Sequence, residues 1–283
     1  MKLTIHLMVL AAMLMLSACD KPVTEKTGSE KQAATPPSAT AGKPAEKKPV
    51  SIMLQYTVEE PGLDPYPSRA IITRDFMRLD DGPGSDSFVL FDRKKQEVYS
   101  VSSDNGAILV VKKRDIPEKP PLEIHDSQRV MEEKGMPELA GKKAKHYYFD
   151  TDGVNCYQAY IVKDFLSEAA RAYIEYRRVL AGDHAFTMQR VPKEELHPCD
   201  LSMNIFSSGR VYKEGLPIHE RGPNGYVKTL TNYKVDFETK DSMFTLPEGY
   251  GRFTIEDMRN GLAAPEENPL SNVVPDALQQ PKQ

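Results

Sequence analysis

The feature that most constrains this chain is a series of short apolar runs in which hydrophobic and polar residues do not alternate. FVLF (88–91), AILVV (107–111) and YYF (147–149) are the clearest. A strand packed on one face and wetted on the other alternates. These runs therefore belong to strands covered on both faces, or to strands whose second face lines a cavity. A sandwich core or an oligomer interface satisfies the same pattern. Turn signals flank the runs: RKKQ (93–96), DNG (104–106) and TDGV (151–154). Such short connections make neighbouring strands antiparallel.

Read on this basis, the chain from Val50 to Arg259 is a single mainly β, α+β domain. About 210 residues suffice for one sizeable core. Strand candidates in the first half are SIMLQYTVEE (51–60), RAIITRDFMRLD (69–80), SFVLFD (87–92), EVYSVS (97–102) and AILVVKK (107–113). QRVMEEKGMPEL (128–139) suits one short helix, broken by Gly135 and Pro137. AKHYYFD and NCYQAYIV then flank a hairpin signal. In DFLSEAARAYIEYRRVLAG (164–182), Phe165, Ala169, Ala172, Tyr173, Tyr176 and Leu180 recur at helical spacing. Asp164 can cap this helix and Gly182 can end it. DLSMNIF, LPIHER, YVKTLTNYKVDFE and SMFTLPEGY return to strands. The aromatic helix face suits ordinary core packing. The alternative is a lid over an apolar pocket, with tyrosine hydroxyls reaching a headgroup or water.

Three stretches carry a family resemblance. DRKKQEVYSV (92–101) resembles the signature hairpin of periplasmic LolA/LolB-like lipoprotein-carrier domains. ELAGKKAKHYYF (138–149) is similar to their central strand entry, and GLPIHERGPNGYVKTLTNYKVDFETKDSMFTLPEGY (215–250) to the close of the fold. The resemblance implies a curved antiparallel sheet, or half-open β-barrel, with one or more helices on its concave face. It implies that this face shelters acyl chains or another apolar partner. Phe88, Leu90, Tyr160, Phe165, Ala169, Tyr173 and Tyr176 are the candidate walls of that pocket.

The N-terminus reads as an export signal. Lys2 is followed by an apolar run, Leu3 to Leu16. At about 14 residues it is shorter than the ~18–20 of a spanning helix. Leu16-Ser17-Ala18-Cys19 matches the lipobox of bacterial lipoproteins, which implies cleavage after residue 18 and acylation of Cys19. Two or more acyl chains anchor stably where one holds marginally. Asp20 resembles the signal that retains enterobacterial lipoproteins in the inner membrane, with the outer membrane as the alternative. Residues 19–49 are poor in apolar side chains and read as a tether, and 260–283, with four prolines, as a loose tail. Cys156 and Cys199 remain. In an exported protein a disulfide between them is the leading reading, closing a loop of roughly 44 residues for about 4 kcal/mol of stabilisation. Free thiols, or a zinc site with His197, are the alternatives.

No reaction is legible. GMPELAGKK (135–143) has the wrong glycine spacing for a phosphate loop. His125-Asp126 and Asp183-His184 are adjacent pairs, which point apart on a strand. Ser207-Ser208-Gly209 lacks a nucleophile elbow. No catalytic residue, metal or cofactor is expected. With 37 Lys+Arg against 41 Asp+Glu, nothing favours nucleic acid as partner. The expected protein is a non-catalytic module on the periplasmic face of a bacterial membrane, held by its N-terminal lipid, with a hydrophobic ligand or an envelope protein as partner. A ligand-free envelope scaffold is the alternative, and a periplasmic hydrolase a distant one.

Overall fold

The computed structural model of the protein describes residues 51–261. Cys19, Asp20, the tether and all but the first two residues of the tail lie outside them.

The first half is an antiparallel meander of six strands: β1 (Ile52–Glu59), β2 (Tyr66–Ile72), β3 (Phe76–Asp80), β4 (Phe88–Asp92), β5 (Glu97–Ser102) and β6 (Ala107–Lys112). RAIITRDFMRLD is therefore two strands, because Thr73 Oγ1 accepts from the Phe76 amide and closes a turn between them. β7 (Asp126–Met131) follows, where the spacing suggests a helix. Its pairing with β10 (Lys145–Thr151) overrides the local helical spacing. β8 (Glu138–Leu139) and β9 (Lys142–Lys143) form a separate small hairpin. β10 turns into β11 (Val154–Ile161) through Asp152 and Gly153, both at positive φ, the backbone that a two-residue hairpin requires.

α1 (Ser167–Met188) comes next, then the short α2 (Pro198–Asp200), continued by a π-turn at Leu201–Phe206. The DLSMNIF strand is thus replaced by helical winding. β12 (Pro217–Arg221) and β13 (Val227–Val235) form a hairpin, and β14 (Gly251–Phe253) and α3 (Ile255–Arg259) end the described chain. SMFTLPEGY is a strap with one 3₁₀ turn at Asp241–Phe244 rather than a strand.

Twelve strands join one mixed sheet in the order β14-β6-β5-β4-β3-β2-β1-β13-β12-β11-β10-β7. β14 pairs parallel to β6, and the other neighbours in the sheet are antiparallel. β14 and β7 are its two ends, and no closed barrel forms among the described residues.

Two of the non-alternating runs, FVLF and AILVV, are covered on both faces. On one, Val89 and Phe91 of β4 and Leu109 and Val111 of β6 join the main core with α1. On the other, Leu90 and Ile108 pack with Phe88, Val110, Phe244, Leu246 and Tyr250 under the strap. Each large side chain so buried contributes about 1.5–3 kcal/mol.

Two expectations about α1 fail. Asp164 does not cap it: Leu166 holds the N-cap position in left-handed backbone, and no side chain caps the helix. Gly182 does not end it either. A Cβ at Gly182 would meet the Arg114 carbonyl oxygen at 2.4 Å, so glycine permits close approach of the chain, and the helix runs on to Met188.

Candidate functional site

β12 and β13 are joined through Gly222–Tyr226, closed by the Gly222 amide donating to the Tyr226 carbonyl at 2.9 Å. The resulting register sets Glu220 opposite Lys228. Their outer neighbours in the same row are Ala159 on β11 and Val58 on β1. Both are buried in the core, so the pair faces the interior, beneath α1. The Glu220 and Lys228 side chains are only 4% and 11% exposed.

Tyrosines surround the pair. Glu220 Oε2 accepts from the Tyr157 hydroxyl at 2.9 Å and the Tyr212 hydroxyl at 3.5 Å, and Oε1 lies 3.5 Å from Lys228 Nζ. Lys228 Nζ stands 4.2 Å from the Tyr56 ring centroid and 4.9 Å from that of Tyr173 on α1, within cation–π range. Tyr173 in turn stacks on Tyr212. Burial alone would lower the Lys228 pKa; the surrounding oxygens, Glu220 among them, reverse this and hold it well above its ordinary value. The ammonium is charged at neutral pH. Burial raises the Tyr56 and Tyr157 phenols and pushes Tyr226 up to about 12, so these groups stay neutral.

Glu220 has partners on both oxygens. Lys228 Nζ lies 3.5 Å from Glu220 Oε1, and the one buried side-chain polar atom without a hydrogen-bond partner among the described residues, Arg114 Nε, is outside this cluster.

The seven expected pocket residues do not meet. Phe165, Ala169 and Tyr173 are buried on the α1 side, with Tyr176 half-buried beside Phe91. Phe88 and Leu90 lie on the opposite face, under the strap. Tyr160 meets the His146 ring edge-on and stacks on His219, its register partners on β10 and β12. Strand alternation sets it opposite Ala159 and Ile161. One pocket cannot gather residues from strands covered on both faces, because adjacent residues point opposite ways. Sequence reasoning missed Glu220 and Lys228, although a signal existed. Both are four residues from Asn224 in the GPNG turn, and each continues an apolar row, after Ile218 and before Leu230.

Two clefts open elsewhere. One of ≈640 Å³ lies beside the strap, lined by Arg78, Phe88, Leu246 and Tyr250 among others. The Arg78 guanidinium lies 3.8 Å from the Phe88 ring centroid. Its donors are taken by Asp80 at 2.6 Å, the Met243 carbonyl at 3.0 Å and the Ser85 carbonyl at 2.9 Å. The other, of ≈370 Å³, is a charged hollow at the outer edge of α1, with Arg74, Arg93 and Glu175. Among the described residues no three His, Cys, Asp or Glu side chains gather to hold a metal, and no helix is long and apolar enough to cross a membrane. Cys156 and Cys199 stand at disulfide distance, Sγ–Sγ 1.94 Å, tying β11 to α2.

No family model matches the chain, and no curated protein matches it. Among solved structures it is similar to an uncharacterized conserved protein from Thermus thermophilus, at 11% identity and TM-score 0.37, over 72% of this chain and 90% of that one. It is also similar to PNGF-II in two crystal forms. In one, identity is 12% and the TM-score 0.35, over 75% of this chain; in the other they are 11% and 0.37. The match spans about a third of PNGF-II, 32% and 33% in the two forms. Likeness at this level assigns no function.

Proposed function

We propose that this chain is a non-catalytic binding module of the bacterial envelope, tethered through acylated Cys19 to the periplasmic face of a membrane, the inner one by the Asp20 signal. Its folded part works as a LolA/LolB-like half-barrel, with α1 as the cover over an apolar ligand. One observation carries this reading: an ion pair, Glu220 with Lys228, lies nearly closed to solvent among tyrosines where α1 covers an otherwise apolar face of the sheet. An amphiphile, apolar along its length and polar at one point, complements that environment. α1 suits a removable cover because Ala169, Ala170, Ala172, Ala181 and Ala185 form much of its buried surface, and such small side chains interlock little. The unlipidated chain from residue 20 onward should release co-purified amphiphile in native mass spectrometry and bind a fluorescent acyl probe. Absence of both would overturn the reading.

A ligand-free scaffold is the second reading. It is favoured by the filled packing under α1, where Ala169 and Ala172 are 0% and Tyr173 4% exposed. It predicts neither a co-purified guest nor probe binding.

A further inference from the structure

We infer that the cleft beside the strap is a second binding site, for an organic monocarboxylate with a compact apolar body. At ≈640 Å³ the cleft has the volume of a small-molecule site. Its charge is unbalanced at the floor. Asp80 pairs side-on with Arg69, through Nε and Nη2 at 2.8 Å each, and with Arg78 Nε at 2.6 Å. Two guanidiniums thus share one carboxylate. The Arg69 and Arg78 side chains are 12% and 9% exposed and that of Asp80 0%, so one positive charge is left over where water is scarce. A charge held out of water calls for a partner. Arg78 gives charge but few donors, since each of its nitrogens already meets an oxygen. Arg69 gives both. A guanidinium carries five N–H donors in a planar fork. The pairing with Asp80, and a bond from Nη2 to the Gly82 carbonyl at 2.9 Å, occupy its Nε–Nη2 edge. The two N–H donors of Nη1 lie on the opposite side. Arg69 lines the cleft, and these are the donors that its ion pair leaves for a ligand.

The walls and the rim narrow the class. Phe88, Leu246 and Tyr250, each half-buried, form an apolar side to the cleft, with the Phe88 ring 3.8 Å from the Arg78 guanidinium. Asp86 and Glu248 also line it, but both are exposed, and among the described residues neither pairs with Arg69 or Arg78. They cap the negative charge that a ligand can bring: a phosphate dianion would exceed the single charge left over and would face both carboxylates. A cation would meet the two arginines. A neutral apolar molecule would leave the charge unmatched. A planar carboxylate supplies one negative charge and fits the guanidinium fork, while its apolar body lies against Phe88, Leu246 and Tyr250.

The test is calorimetric titration of the unlipidated chain from residue 20 onward, at pH 7.5, with naphthoate, naphthamide and naphthylmethylamine. Naphthoate should bind about tenfold or more tighter than the amide, the size of one good hydrogen bond to a charged group, and the amine should bind weakest. Arg69→Gln should bring naphthoate down to the amide. Glu248→Lys, at an exposed position outside the ion-pair cluster, should tighten naphthoate severalfold and leave the amide unchanged; it reads the site even where Arg69→Gln does not fold. Naphthoate binding no tighter than the amide or the amine would overturn the proposal. So would an affinity that neither substitution changes, because the acid would then be held elsewhere. The acyl probe under α1 reads the proposed function separately, so either can fail alone.

Discussion

Lys228 and Glu220 form an ion pair whose side chains are nearly closed to solvent. Breaking a buried pair by removing one partner costs about 3–5 kcal/mol, because the other charge is left uncompensated. Lys228→Met should therefore lower the free energy of urea unfolding by roughly that amount, and Lys228→Met with Glu220→Gln by clearly less. Equal losses in the single and double variants would mean that the two residues do not act as a pair. A second residue, Asp126, ties the segment after α1 to the sheet edge. It accepts from Ser202 and Ser207, each at 2.6 Å, and from Thr151 at 2.8 Å, with Arg210 at 3.1 Å. Burial pushes its carboxyl pKa up, but these donors outweigh burial and lower it. A lowered folded-state pKa gives stability that is complete above the unfolded value, near 4, and is lost as pH falls through the folded one. The urea midpoint should thus fall with acidification below about pH 4, and Asp126→Asn should flatten that fall.

At the scale of elements, the sequence was most legible where the signal was local. TDGV turns as expected because a glycine and an aspartate can both take positive φ, whereas RKKQ and DNG close hairpins with one such residue each, Gln96 and Gly106. It was least legible where a distant partner decides. QRVM carries helical spacing and becomes a strand because β10 offers it an edge. DLSMNIF reads as a strand, yet winds beside α2, where Cys199 is tied to β11 and Ser202 to Asp126. The site was hidden for the same reason: its tyrosines come from β1, β11, α1 and the 3₁₀ turn at Arg210–Tyr212, and only the β12–β13 hairpin is local. Gly182 belongs at this scale too. Its lack of a side chain lets α1 pass against the Arg114 carbonyl. Gly182→Ala, ordinarily favourable inside a helix, should instead destabilise by about 1–3 kcal/mol through overpacking. A raised melting temperature in that variant would show that the close approach does not hold α1.

Across the whole molecule, the sheet separates two buried surfaces that the sequence could not tell apart. One faces α1 and the Glu220–Lys228 cluster; the other is closed by the strap, where Phe244 stacks on Phe76 at 5.4 Å and Arg78 holds the Met243 carbonyl. Phe244→Ala should therefore loosen the strap and increase binding of a hydrophobic dye, while leaving acyl-probe affinity under α1 unchanged. A parallel loss of probe binding would mean that the two surfaces are coupled.

The strand order also carries a temporal consequence. β1 is the first of the described elements that a ribosome would finish, yet one of its flanks is β13, with Ile52 opposite Val235. Until nearly the whole polypeptide has emerged, Leu54 and Tyr56 lack that neighbour, and contacts so distant in sequence form slowly. A nascent chain of this design keeps β1 without one of its neighbours until β13 has been made. Chains stopped just short of Val227 should accumulate as aggregates rather than as a smaller soluble domain.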